Sequence, residues 1–191
     1  MAKGKRSRGD DGWKIVLGGT NKYHRCSIRL KGYDYTQPGA YFLTIVTQNR
    51  ECILGNISDY HVLLNDAGLM VQKTWHEIPE HYMNIAADSF IVMPDHIHGI
   101  IVFSMQVVQA RGQDMQARGP ATTTTRLSLP DIVHRFKSLT TKRYIDGVKS
   151  HNWRICPGRL WQRNYYEHII RDEQSLENIR RYIQCNPVSG I

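Results

Sequence analysis

His96 and His98 stand two apart in the apolar run His96-Ile97-His98-Gly99-Ile100-Ile101-Val102. Successive side chains of a strand leave opposite faces of a sheet, so these two imidazoles project from one face and can grip a single divalent ion. A bare His-x-His also arises by chance, with one ring an ordinary surface or core residue, so the motif needs support from elsewhere. Near the other end of the chain Tyr182 and Asn186 stand four apart, on one face of a helix. The amide oxygen of Asn186 can complete a metal site, and the phenol of Tyr182 can stand beside it. Without the histidines the same pair is a buried tyrosine and an asparagine near a helix C-terminus, where Asn is common.

Elements far apart in the chain must bring these residues together. Tyr41-Phe42-Leu43-Thr44-Ile45-Val46-Thr47 is β-branched and aromatic and follows Pro38-Gly39, which predicts a first strand after a turn. From Asn65 or Asp66 to about His81, Leu69, Met70, Trp75 and Ile78 recur near helical spacing behind an Asx cap, with Pro79 near the end. Ser89-Phe90-Ile91-Val92-Met93 and the histidine run are divided by Pro94-Asp95, the pattern of an antiparallel strand pair with a tight connection. After Leu129-Pro130, residues Ile132, Val133, Phe136, Leu139 and Tyr144 trace the apolar stripe of a basic amphipathic helix. Tyr165 to Ile170 predicts a fourth strand. Asp172 then caps a final helix that turns Leu176, Ile179 and Ile183 inward and stops at Pro187. The order strand, helix, strand, strand, helix, strand, helix is that of a ferredoxin-like α+β fold: a four-stranded antiparallel sheet with helices on one face and an added C-terminal helix.

The 191 residues, 41% of them hydrophobic, are enough for one core, so one domain is expected at 26–191 behind a flexible basic arm at 1–25. Residues 104–127 read as a linker-like insert, because Gln109-Ala110-Arg111-Gly112 recurs as Gln116-Ala117-Arg118-Gly119 before four threonines and neither structural period survives. No apolar run approaches the roughly 20 residues a membrane helix needs, and the basic N-terminus lacks a secretory apolar core. The expectation is therefore a cytoplasmic protein with no membrane partner. Cys26, Cys52, Cys156 and Cys185 are scattered, which supports neither a zinc knuckle nor a disulfide framework. The formal charge of +8 is unevenly placed: residues 1–31 hold nine Lys and Arg against two acidic groups, residues 104–164 hold eleven against three, and residues 32–103 are acidic. Such segregation suits a polyanion held against one face, although a solvated tail produces the same count.

Three stretches carry a specific resemblance: Met93-Pro94-Asp95-His96-Ile97-His98-Gly99-Ile100, Trp161-Gln162-Arg163-Asn164-Tyr165-Tyr166-Glu167-His168-Ile169-Ile170-Arg171, and Tyr182-Ile183-Gln184-Cys185-Asn186-Pro187. Together they resemble the REP-associated tyrosine transposases, relatives of the single-tyrosine transposases of small bacterial insertion sequences. Further similarity runs through Arg29 to Tyr35 and Tyr41 to Arg50, so the resemblance covers roughly residues 25–187. It implies that His96 and His98 are the metal-binding pair of an HUH nuclease and that Tyr182 is the nucleophile, carried on the C-terminal helix. Asn186 falls where the wider superfamily has a Gln or Asn as third ligand. The resemblance also implies a Mg²⁺ or Mn²⁺ cofactor and a hairpin-containing single-stranded DNA substrate, cut and rejoined through a 5′-phosphotyrosine. The residue types suit that chemistry, since a divalent ion neutralises charge on a phosphate oxygen without supplying a proton. Mg²⁺ prefers oxygen ligands, so two imidazoles make Mn²⁺ at least as suitable. The insert at 104–127 departs from the family's pattern.

Tyr165 and Tyr166 are rival nucleophiles, and Glu167 or His168 rival ligands, though on a strand they better serve packing and substrate contact. Trp161 is a candidate for base stacking, and Arg135, Lys137, Lys142 and Arg143 for phosphate contact. Two other functions compete. One is a hairpin-binding module that does not cut DNA; the other is a zinc hydrolase on His96 and His98, which needs a further ligand such as Asp95 or His168. Monomer and homodimer both remain open.

Overall fold

β-branched and aromatic residues dominate the strands that the histidines need, and apolar residues at helical spacing dominate what covers them. The computed structural model describes residues 30, 32–59, 61–105, 127–156 and 158–189. The expected arm at 1–25 and nearly all of the expected insert at 104–127 lie outside the described residues. In order, the elements are β1 (Gly39–Val46), a 3₁₀ turn (Gln48–Arg50), β2 (Gly55–Ser58), β3 (His61–Leu64), α1 (Asp66–His76), α2 (Ile78–His81), β4 (Ile85–Val92), β5 (His96–Phe103), α3 (Leu129–His151), β6 (Tyr166–Ile170) and α4 (Glu173–Ser189). Four strands form one sheet in the order β4-β5-β1-β6, with all neighbours antiparallel. This is the expected ferredoxin-like arrangement.

Strand alternation divides the central strands between two cores. Tyr41, Leu43 and Ile45 of β1 and Ile97, Ile101 and Phe103 of β5 join Val71 and Trp75 of α1 and Ile132, Val133, Phe136 and Tyr144 of α3. Their neighbours Phe42 and Ile100 face the other way, where Ile170 and the α4 residue Ile183 bury them, flanked by Leu176 and Ile179. Thus α1 and α3 cover one face and α4 the other. Gly99 serves the first core: a Cβ there would come within 2.4 Å of the Trp75 ring, which stacks on Phe90 with centroids 4.5 Å apart. Asn65 caps α1 by accepting from Gly68 N at 3.0 Å, and Asp172 caps α4 by accepting from Ser175 N at 2.7 Å. No helix among the described residues is long and apolar enough to cross a membrane.

Several expectations need correction. The helix predicted to run to about His81 is divided at Glu77 into α1 and α2, because Pro79 has no N–H to continue the hydrogen-bond ladder. Pro187 does not stop α4, which continues to Ser189. A proline there removes one backbone hydrogen bond in the closing turn, and the helix tolerates the loss. β4 begins at Ile85 rather than Ser89, because its pairing with β5 shifts register between Ala87 and Phe90. That bulge interrupts the alternation that a reader of sequence depends on. The hairpin of β2 and β3 was not foreseen.

Candidate active site

β1 and β5 place Thr44 directly opposite His98 and Val46 opposite His96. On this face, the one that α4 covers, Thr44 Oγ1 lies 2.8 Å from His98 Nδ1. The connection between β4 and β5 supplies the other histidine's support. Thr47 is fully buried and anchors that connection, its N–H and hydroxyl both donating to the Asp95 carbonyl at 2.9 Å. The Asp95 carboxylate then faces two ways, with Oδ1 2.5 Å from His96 Nδ1 and Oδ2 3.1 Å from Arg50 Nε. Arg50 and Asn49 both have φ of 56°, a left-handed conformation that non-glycine residues seldom adopt. This tight turn is what brings the guanidinium back to Asp95.

With both Nδ1 atoms engaged, the two Nε2 atoms point at each other across 3.1 Å. Two ring nitrogens this close either share one proton or direct two lone pairs at a common point, and the second arrangement favours a cation. His98 is 6% exposed, and burial, helped by the charge of His96, pushes its pKa down to about 3. It is therefore a neutral ring with ligand character at physiological pH. Burial raises the Asp95 carboxyl, but the hydrogen bond and charge of His96 and the charge of Arg50 outweigh it and hold the group below the ordinary carboxylate range.

α4 brings the remaining groups. Tyr182 Oη lies 3.4 Å from His98 Nε2, and the ring is 44% exposed. Phe42 fixes this corner: His98 stacks on it at 5.4 Å between centroids, and Tyr182 meets it edge-on at 6.1 Å. Asn186, one turn further along α4, is 8% exposed, and its Nδ2 is buried without a hydrogen-bond partner. The described residues contain no group of three His, Cys, Asp or Glu that could hold a metal ion. The unpartnered atom of Asn186 is the amide nitrogen, a donor, so any coordination by this side chain would fall to its oxygen Oδ1.

The other expected site residues fare differently. Trp161 is 4% exposed and donates its indole N–H to Thr140 Oγ1 at 2.8 Å, so it is a core residue and not a stacking surface. Lys137 Nζ is held by the carbonyls of Gln162 at 2.9 Å and Asn164 at 3.1 Å, above the Tyr165 ring. Arg143 ties α3 to Thr74 and Glu77. Only Arg135, which also donates to Tyr82 Oη, and Lys142 are exposed. All five belong to α3 or the segment packed on it, across the sheet from the histidines. Tyr165 packs into that same helix-side core, whereas Tyr166 shares the histidine face through its pairing with Thr44. Glu167 pairs with Leu43, and both its carboxylate oxygens are buried on the face away from the histidines without a hydrogen-bond partner, so it is no ligand for them. His168, paired with Phe42, lies on the histidine face. Sequence reading missed Thr44 and the Arg50–Asp95 link; only Asp95's place beside His96 hinted at the second.

The family model described as "Transposase IS200 like" matches residues 121–186. The chain is 40% identical over 176 residues to an uncharacterized protein of Haemophilus influenzae, covering 87% of this chain and 89% of that one. It is 30% identical over 157 residues to a second protein of that organism, named as a REP-associated tyrosine transposase, covering 81% of this chain and 73% of the relative. Among solved structures, a chain described as a transposase from Deinococcus radiodurans aligns with TM-score 0.45 at 19% identity, covering 82% of this chain and 95% of that one. A REP-associated tyrosine transposase bound to a REP hairpin aligns with TM-score 0.45 at 17% identity, covering 88% and 73%.

Proposed function

The chain belongs to the REP-associated tyrosine transposase family, and on that footing we propose that it cuts and rejoins hairpin-bearing single-stranded DNA. In this reading Tyr182 is the nucleophile, His96 and His98 hold a divalent ion, and Asn186 is the third protein ligand. One observation carries it: Tyr182 Oη lies 3.4 Å from His98 Nε2, which in turn lies 3.1 Å from His96 Nε2. A bound Mg²⁺ or Mn²⁺ supplies charge neutralisation at a phosphate oxygen.

The rest of the work falls to the chain itself. Asp95 and Thr44 hold the imidazoles by Nδ1, keeping each Nε2 directed at the shared point. Phe42 backs both His98 and Tyr182 and orients the phenol. Tyr182 Oη attacks phosphorus; its bond to phosphorus forms as the bond from phosphorus to the 3′ oxygen breaks. The phenol proton passes to solvent and the leaving oxygen takes up a proton, giving a free 3′-hydroxyl and a 5′-phosphotyrosine. One phosphodiester has replaced another, so attack by a second 3′-hydroxyl rejoins the strand.

The test is to incubate the protein with hairpin-bearing single strands and Mn²⁺ and look for a denaturant-resistant adduct, mapped by mass spectrometry. An adduct at Tyr182 is expected. Tight hairpin binding with no adduct in any divalent metal would overturn the catalytic reading and leave a hairpin-binding protein.

A further inference from the structure

The adjacent tyrosines at the start of β6, Tyr165 just before the strand and Tyr166 its first residue, part company in the fold. Tyr165 goes to the helix-side core, and Tyr166 emerges on the face that carries the histidines. Thr44 is the residue that β1 sets opposite both His98 on β5 and Tyr166 on β6, so the three lie in one row across the sheet. Phe42 joins them from the next row of that face. His98 stacks on its ring, Tyr182 meets it edge-on, and Tyr166 meets it edge-on at 6.4 Å with the planes 70° apart. Tyr166 is 38% exposed. The edge contact with Phe42 fixes the orientation of a large aromatic ring whose exposed part stands beside the reacting groups.

We propose that Tyr166 is a nucleobase-binding subsite, on which a base flanking the scissile phosphate stacks while that phosphate sits at Tyr182. This rests on the assignment of Tyr182 made above and adds a contact to the base where that assignment concerns the phosphate. A single strand lying across this face must put its bases somewhere once its phosphate is seated, and unpaired bases gain most from an aromatic plane. The sheet edge at β6 offers one within a strand's width of Thr44. Stacking accepts any base, so the subsite places the strand in register without reading its sequence.

The experiment uses a DNA hairpin with single-stranded thymidine tails, with one abasic residue moved along the tails a position at a time. Binding is measured by fluorescence anisotropy in the absence of divalent metal, so that no cleavage step enters. Tyr166→Ala should weaken binding about 5- to 150-fold, and Tyr166→Phe and Tyr166→Trp should bind within about twofold of wild type. At one tail position the abasic residue should cost the wild type the same factor and cost Tyr166→Ala nothing further, which a merely structural role would not produce. Unchanged binding by Tyr166→Ala, or losses that multiply at every position, would overturn the subsite. Adduct formation by Tyr166→Phe separates the two readings: loss there with retention in Tyr182→Phe overturns the nucleophile assignment, whereas the anisotropy result stands on its own.

Discussion

Arg180 grips Asp88 through two hydrogen bonds, Nε to Oδ1 at 3.1 Å and Nη2 to Oδ2 at 2.7 Å, two residues before Tyr182. Asp88 sits where β4 shifts register against β5, and bulges of this kind re-aim side chains, here toward α4. The pair therefore ties the helix that bears the phenol to the sheet that bears the histidines. Glu173 and Glu177 stand 3.7 Å from the same guanidinium, so Arg180 is engaged within the protein.

Asp88→Ala should lower the rate of adduct formation about ten- to a hundredfold, the cost of a displacement of about 1 Å at the reacting atoms, while hairpin affinity holds. The exchange Asp88→Arg with Arg180→Asp should restore part of the rate. Single-turnover kinetics on the three proteins decide it, and an unaltered rate in Asp88→Ala would mean that α4 is seated by its apolar contacts alone.

The same pair has a pH signature. The hydrogen bond from Arg180 holds the Asp88 carboxyl below the ordinary carboxylate range, against a smaller opposing effect of burial. A depressed folded pKa gives stability that is complete above the unfolded value, about 3.9, and lost as pH falls through the folded value. Asp88→Asn should melt below wild type at neutral pH, and the gap in Tm should close under about pH 4. A gap that persists unchanged in acid contradicts the linkage.

Tyr182→Phe removes one hydroxyl from a half-exposed ring, so folding and hairpin binding should survive while the adduct disappears. Tyr165→Phe and Tyr166→Phe should keep the adduct. Mass spectrometry of the trapped complex checks the assignment directly, and an adduct on Tyr165 or Tyr166 would shift the chemistry to the start of β6.

His96→Ala or His98→Ala should abolish metal-dependent cleavage and leave hairpin binding largely intact. Chelation of divalent ions should do the same to the wild type, with Mn²⁺ restoring activity at least as well as Mg²⁺. Cleavage that survives the double alanine variant would remove the metal assignment.

The basic and aromatic residues of the α3 region should separate in two assays. Lys142→Ala and Arg135→Ala should each reduce the slope of log affinity against log salt by about 1 if they contact phosphate, with melting nearly unchanged. Trp161→Ala should cost about 3–5 kcal/mol of stability, because its ring lies in the core. Urea denaturation and salt titration of the same proteins distinguish the two classes, and a fully stable Trp161→Ala would contradict the packing described here.

Much of this was legible in the residues because it depends on periods that the backbone imposes. Two-residue spacing put His96 and His98 on one face, and four-residue spacing kept Tyr182 and Asn186 together. Contacts set by pairing were not legible. Thr44 meets a residue 54 positions away only because β1 and β5 pair in one particular register. Trp161 looked like a stacking surface because an aromatic beside basic residues has the same composition whether it faces solvent or the core. The β2–β3 hairpin escaped notice because its strands have four residues each and bury little. The bulge at Asp88 hid the start of β4 for the opposite reason: a strand that changes register breaks the alternation by which strands are recognised.

β1 indexes the protein. Its odd residues Tyr41, Leu43 and Ile45 fill the helix-side core, and its even residues Phe42 and Thr44 meet His98, Tyr166 and Tyr182. A slip of one residue would turn Thr44 into an apolar interior and set Leu43 or Ile45 opposite the histidine. A single-residue insertion or deletion in this strand would therefore disrupt the core and the chemistry together, and the population of molecules would hold few that are folded but miswired. Packing in this chain acts as a proofreading step for the reaction centre, at a cost already met by the stability of the fold.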